Sequence, residues 1–96
     1  MAELSRFDVA EYGGIMMVVV ESDLLPPDFS VVVIPLLDDY PAVRLLNPEI
    51  VFDGRTLVLA TRLIGGVRRS SLRRVGNVVG QGDVITRAVD VLMAGV

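Results

Sequence analysis

Apolar and polar positions follow strand-like patterns from residue 5 to residue 80, and a helical pattern closes the chain. Residues 5–12 alternate, Phe7 and Val9 against Arg6 and Asp8, which predicts a first strand. Gly13 and Gly14 follow and can take the positive φ values of a tight hairpin. Residues 15–22 are a β-branched and Met-rich run, short enough to be a buried strand that pairs antiparallel with the first. Pro26 and Pro27 end that element, since neither can donate to a ladder. Residues 29–37 form the next strand, in which Pro35 predicts an edge position or a bulge. Residues 38–48, with Pro41 and Pro48, read as a loop.

Residues 49–52 and 55–61 flank Asp53 and Gly54, the pair that a two-residue type I′ hairpin needs. The second of these runs is apolar on both faces and is expected to be central. Residues 63–66 break the pattern. Beyond them, residues 67–69 read as a short strand, residues 70–74 as a helical turn or an extended link, and residues 75–80 as a strand weakened by Gly76 and Gly80. Residues 83–96 then carry Ile85, Ala88, Val89, Leu92 and Val96 on one face of a 3.6-residue repeat. Asp83 is expected to cap this helix and to pair with Arg87 at i, i+4. The helix is expected to dock on its own sheet. The fold class is mainly β with one C-terminal helix, a small antiparallel sheet, in a single domain spanning residues 1–96.

Composition adds a partner. The chain is 52% hydrophobic, and a domain of this size buries only about 60–65% of its unfolded surface, so apolar residues remain for an interface. A homodimer is expected. The uninterrupted apolar runs at 15–20 and 31–37 fall far short of the ~20 residues of a spanning helix. The N-terminus lacks a signal pattern, so a cytoplasmic protein without membrane contact is expected.

Charge is segregated. Residues 1–53 carry a net −8, residues 54–82 a net +6 and the tail −1. The basic segment holds Arg55, Arg62, Arg68, Arg69, Arg73 and Arg74 and no acid, a pattern that suits a nucleic-acid or phosphate contact or a seat for an acidic partner segment. Its bland alternative is a solvated face paired with the protein's own acids.

Cysteine and histidine are absent, which removes disulfides, thiolate metal sites and the commonest general base. Ser70 and Ser71 have no histidine to activate them. Asp38 and Asp39 read as solvated loop carboxylates, and the glycines at 76, 80 and 82 match no phosphate-cradling spacing. No catalytic residue, metal or cofactor is expected. A binding protein is favoured over an enzyme.

Two blocks carry a family resemblance: ESDLLPPDFSVVVIPL at residues 21–36 and ITRAVDVLMAGV at the tail. The first resembles the Ser-Asp-Ile/Leu-Ile/Leu step and later Val-Ile-Pro-Leu of CcdB, the toxin of a bacterial type II toxin–antitoxin system. The second resembles that family's closing helix, which ends in Trp-Gly-Ile. The resemblance implies an SH3-like, partly open barrel of CcdB/MazF type, assembled as a homodimer. It implies a non-enzymatic toxin that binds the A subunit of DNA gyrase, traps its cleaved-DNA complex and is neutralised by an antitoxin's disordered C-terminal segment. Direct sequence-specific nucleic-acid binding is not expected. Carried over position by position, the gyrase-facing residues are Leu24, Leu25, Asp90, Met93, Ala94, Gly95 and Val96; the antitoxin-binding candidates, taken from the charge pattern, are Arg62, Arg68, Arg69, Arg73 and Arg74. The family's tryptophan is Ala94 here, and the aromatic before it is Met93. Two alternatives stand beside this reading. One is a non-toxic or retargeted relative that keeps its antitoxin partner. The other is a MazF-like mRNA endoribonuclease, for which Arg55 and Thr56 form the nearest catalytic pair.

Overall fold

The computed structural model describes residues 3–95. Seven strands and one helix run in the order β1 (Asp8–Tyr12), β2 (Ile15–Val19), β3 (Ser30–Leu37), β4 (Glu49–Phe52), β5 (Arg55–Leu59), β6 (Gly65–Arg68), β7 (Arg73–Asn77) and α1 (Gly82–Ala94). All pairings are antiparallel, in the sheet order β4-β5-β3-β2-β1-β7, with β6 also on β3. The sheet curls into a half-barrel that leaves β4 and β7 at its two free ends. The mainly β architecture with a closing helix is the one the sequence pattern predicts.

Both predicted tight hairpins form. Gly13 and Gly14 (φ 59° and 81°) join β1 to β2, and Asp53 and Gly54 (φ 53° and 75°) join β4 to β5. Positive φ at both central residues is the type I′ signature, whose twist matches that of the flanking strands. Strand β5 lies between β4 and β3, as its apolar faces predict, and is buried on both faces from Leu57 to Leu59, while Arg55 and Thr56 at its hairpin end are exposed.

Pro35 departs from expectation. Strand β3 is central, and its register with β2 runs unbroken through Met17↔Pro35. The other side of β3 changes partner here: β6 covers Ser30 to Val33, and β5 covers Leu36 and Leu37. Pro35 stands at the changeover, where its carbonyl accepts the Ala60 N–H at 2.9 Å. In an antiparallel strand the N and the carbonyl of one residue face the same neighbour. The missing donor therefore falls in a gap between two partners.

The main core sits inside the curl, where Val9, Val18, Ile34, Leu36, Ile50, Leu57, Leu59 and Val78 meet Ile85 and Ala88 of α1. A smaller cluster of Ala10, Met17, Val19, Val31, Val33 and Leu72 lies on the opposite face. The helix thus docks on its own sheet through the first part of the predicted stripe, Ile85 and Ala88 with Val89 packed alongside; Leu92 is half-buried outside this cluster, and Val96 lies outside the described residues. Its start differs from expectation. Asp83 lies within the first turn, and no side-chain cap bond forms at Gln81. One element earlier, Asn77 Oδ1 accepts the Val79 N–H at 2.7 Å in a local turn ahead of the 3-10 helix Val79–Gln81 that feeds α1, and that helix also has no side-chain cap bond at its N-cap Val78. Asp83 and Arg87 make no salt bridge among the described residues. The helix stops at Ala94, where Gly95 (φ 73°) turns left-handed and donates to the Val91 carbonyl at 2.8 Å. No described helix is long and apolar enough to cross a membrane.

Candidate functional site

Residues 22–25 make a compact turn between β2 and the two prolines. The Leu25 N–H reaches the Ser22 carbonyl at 3.2 Å, and the Leu24 N–H reaches Ser22 Oγ at 3.1 Å. These bonds tie the backbone down while the side chains point out. Leu24 is 95% exposed and Leu25 57%. A large apolar side chain at a turn apex does nothing for the core.

The outer end of α1 has the same character. Thr86, Asp90 and Met93 recur at i, i+4 and i+7, flanking the buried stripe of Ile85 and Ala88. Met93 is 76% exposed. Asp90, Ala94 and Gly95 are exposed as well, and Val96 lies outside the described residues.

One residue joins the turn to the helix. The Arg6 N–H donates to Asp23 Oδ1 at 2.8 Å, and Arg6 Nη2 donates to Thr86 Oγ1 at 3.1 Å. Nothing in the sequence flags Arg6, because neither partner is near it along the chain.

A model of the CcdB protein family matches residues 7–95. The chain belongs to the CcdB family. That makes it a toxin of the kind found in toxin–antitoxin modules, and the half-barrel with its terminal helix is the fold the resemblance implies. No curated protein matches the chain significantly. The turn at Leu24 and the helix end at Met93 belong to the two blocks that carried the resemblance, 69 residues apart in sequence and linked through Arg6.

The arginines of this CcdB-family chain divide into two sets. Arg69 is only 6% exposed; its Nε donates to the Asp28 carbonyl at 3.0 Å and its Nη2 lies 3.6 Å from Glu21. Arg73 pairs with Glu11 at 2.8 Å, and Arg74 with the buried Asp8 at 3.1 Å. Arg62 and Arg68 are exposed and make no salt bridge among the described residues. The bland reading therefore holds for three of these five candidate arginines and leaves two open. Arg68 lines a shallow depression of about 470 Å³ with Ser30 and the 81%-exposed Phe29. Arg55 is held by Asp38, its Nη2 reaching both carboxylate oxygens at 2.7 and 2.8 Å, while Thr56 pairs with Val51 across the hairpin.

A cavity of about 780 Å³ opens along the seam between β4 and β7. Phe52, Gly76 and Gln81 line it, and none of the three was distinguished by its sequence neighbours as a seam residue.

Proposed function

We propose that this protein is a CcdB-type toxin that acts by binding and not by catalysis, and that its target is the A subunit of DNA gyrase. The target-facing surface is Leu24 and Leu25 on the turn with Asp90, Met93, Ala94, Gly95 and Val96 at the end of the chain. The observation that carries this reading is the exposure of Leu24 and Met93 on segments that Arg6 ties together. Burying each such side chain at an interface is worth about 1.5–3 kcal/mol, which offsets part of what the missing tryptophan ring would supply.

A homodimer brings two copies of this surface to a two-fold target. Exposed Tyr12, Ile15, Val51 and Val79 leave apolar area for such an interface. The antitoxin supplies an acidic, disordered segment, and Arg62 and Arg68 are its free cationic contacts, with Arg69, Arg73 and Arg74 engaged internally. Gyrase works on DNA in the cytoplasm, so the protein acts there.

The test is inhibition of supercoiling, with trapping of cleaved DNA, by the purified protein on purified gyrase. Inhibition that disappears when Gly95 and Val96 are deleted supports the reading. A folded protein that leaves gyrase untouched points to a retargeted or non-toxic relative.

A further inference from the structure

We infer that Arg6 is a positioning residue that holds the turn at residues 22–25 at a fixed distance from the outer face of α1, so that the two apolar contact points are preorganised before a partner arrives. The functional arm of this inference rests on the gyrase reading; the structural arm does not.

The frame begins at Phe7, whose φ of 71° is uncommon for a bulky residue and persists only where its surroundings fix it. Its N–H donates to the Val19 carbonyl at 2.7 Å, and its carbonyl accepts the Val78 N–H at 2.9 Å. Its ring lies against Gly82, where an added Cβ would come within 2.8 Å of the ring edge. Phe7 is thus bound to β2, to the segment after β7 and to the start of α1 together. Arg6 inherits that fixed frame. Its guanidinium carbon sits 4.8 Å from the Phe7 ring centroid, a cation–π distance, and from there Nη2 reaches Thr86. Its backbone N–H holds Asp23 on the other side.

Among the described residues, the Arg6–Asp23 bond is the one hydrogen bond that joins residues 22–27 to the rest of the molecule. Arg6 Nε is buried and has no acceptor, an uncommon arrangement that the protein tolerates at this position. A turn tied at one point to a rigid frame, and a helix tied to the same residue, behave as one surface. Ordering them in advance lowers the entropic cost of binding.

The experiment compares wild type with Asp23→Ala, which removes the acceptor of the Arg6 N–H, and with Arg6→Met, which keeps an apolar stem over the Phe7 ring and removes the guanidinium but leaves that N–H in place. Amide hydrogen exchange on the full chain reads the structural arm. Exchange at the Leu24 and Leu25 amides is expected to rise roughly tenfold in Asp23→Ala, with the amides of β2 and β3 unchanged. Arg6→Met frees the other end of the link and should raise exchange at the Arg6 amide, the donor to Asp23, and Thr86→Val should reproduce part of that rise. Unchanged exchange at Leu24 and Leu25, or a rise spread evenly over β2 and β3, overturns the positioning role.

The second readout is dissociation from purified gyrase A subunit, expected to quicken roughly tenfold in Asp23→Ala because lost preorganisation shows mainly in the off-rate. Equal dissociation for wild type and variant overturns the functional arm. A wild type that fails to bind gyrase, with exchange still responding at Leu24 and Leu25, removes the gyrase reading and leaves the positioning role supported.

Discussion

The side-chain amide of Gln81 pairs with both main-chain groups of Val51. Its Nε2 donates to the Val51 carbonyl at 2.8 Å, and its Oε1 accepts the Val51 N–H at 2.9 Å. Strand β4 is the end of the sheet, and Val51 faces Thr56 in a two-residue hairpin closed by Phe52 and Arg55. Alternation then turns the polar groups of Val51 away from β5, out toward the seam. An open edge of that kind invites pairing with another chain. Here one amide side chain stands in for the missing strand and closes the half-barrel from the segment that leads into α1.

Gln81→Met keeps the length of the side chain and removes both bonds. Water can reach this site, so the loss of stability is expected to be about 1 kcal/mol, within the usual net value for hydrogen bonds. A urea titration reads it as a lower midpoint at unchanged slope. The freed edge should also raise self-association at high concentration. An unaltered midpoint with no added self-association removes the edge-capping role.

Across the same seam, Gly76 of β7 faces the ring of Phe52 of β4. A Cβ added at Gly76 would come within 2.5 Å of the ring's Cε1 and 2.7 Å of Cζ. Gly76→Ala is expected to destabilise by about 1–3 kcal/mol through overpacking. Phe52→Leu in the same chain shortens the opposing side chain and should recover part of that loss. Thermal or urea denaturation of the two single variants and the double variant measures the coupling. Strict additivity would show that the ring and the glycine do not meet.

Local pattern carried most of the fold, since hairpin chemistry and periodicity are written in neighbouring residues. Asp53 with Gly54 names its own turn, and Ile85 with Ala88 names the buried side of α1. Relations across the chain are written in no such neighbourhood. Pro35 looked like an edge residue because its sequence cannot show that β3 changes partner beside it. Asp83 reads as a cap because its neighbours do not show that a 3-10 turn precedes the helix and starts it at Gly82, which puts Asp83 inside the first turn. The exposed apolar residues of the site, Leu24 and Met93, were legible through family resemblance alone. Arg6, the residue that links them, was invisible because its partners lie 17 and 80 residues away.

The arginines give a prediction that separates architecture from recognition. Arg69 is buried and bonded to the Asp28 carbonyl, with Glu21 beside it. Arg69→Ala leaves Glu21 and that carbonyl without their cation and is expected to cost about 3 kcal/mol or more. Arg68 is exposed and has no internal ion partner among the described residues, so Arg68→Ala should change stability by less than about 0.5 kcal/mol. Its effect should appear instead as a slower, less salt-sensitive association with an acidic antitoxin segment. Stopped-flow association at two salt concentrations, with a melting curve for each variant, distinguishes the two roles. Equal stability losses at both positions would contradict the division.

Ala94 offers a gain-of-function test of the target surface. It closes α1, is exposed, and occupies the position where the family resemblance has tryptophan. Because the site faces solvent, Ala94→Trp adds a ring without entering the core and should leave the unfolding midpoint nearly unchanged. If the helix end faces gyrase, the added ring restores a central aromatic contact. Truncating a contact of that kind costs about 2–4 kcal/mol, or roughly 30- to 1000-fold in affinity. The gain is expected at the lower end of that range, about 30-fold. Equilibrium binding of wild type and Ala94→Trp to purified gyrase A subunit measures it directly. Tighter binding that is lost again when Leu24→Asp is added would show that turn and helix end act on one target as a single surface. No change in affinity, with wild type binding, would mean that gyrase is held elsewhere on the protein.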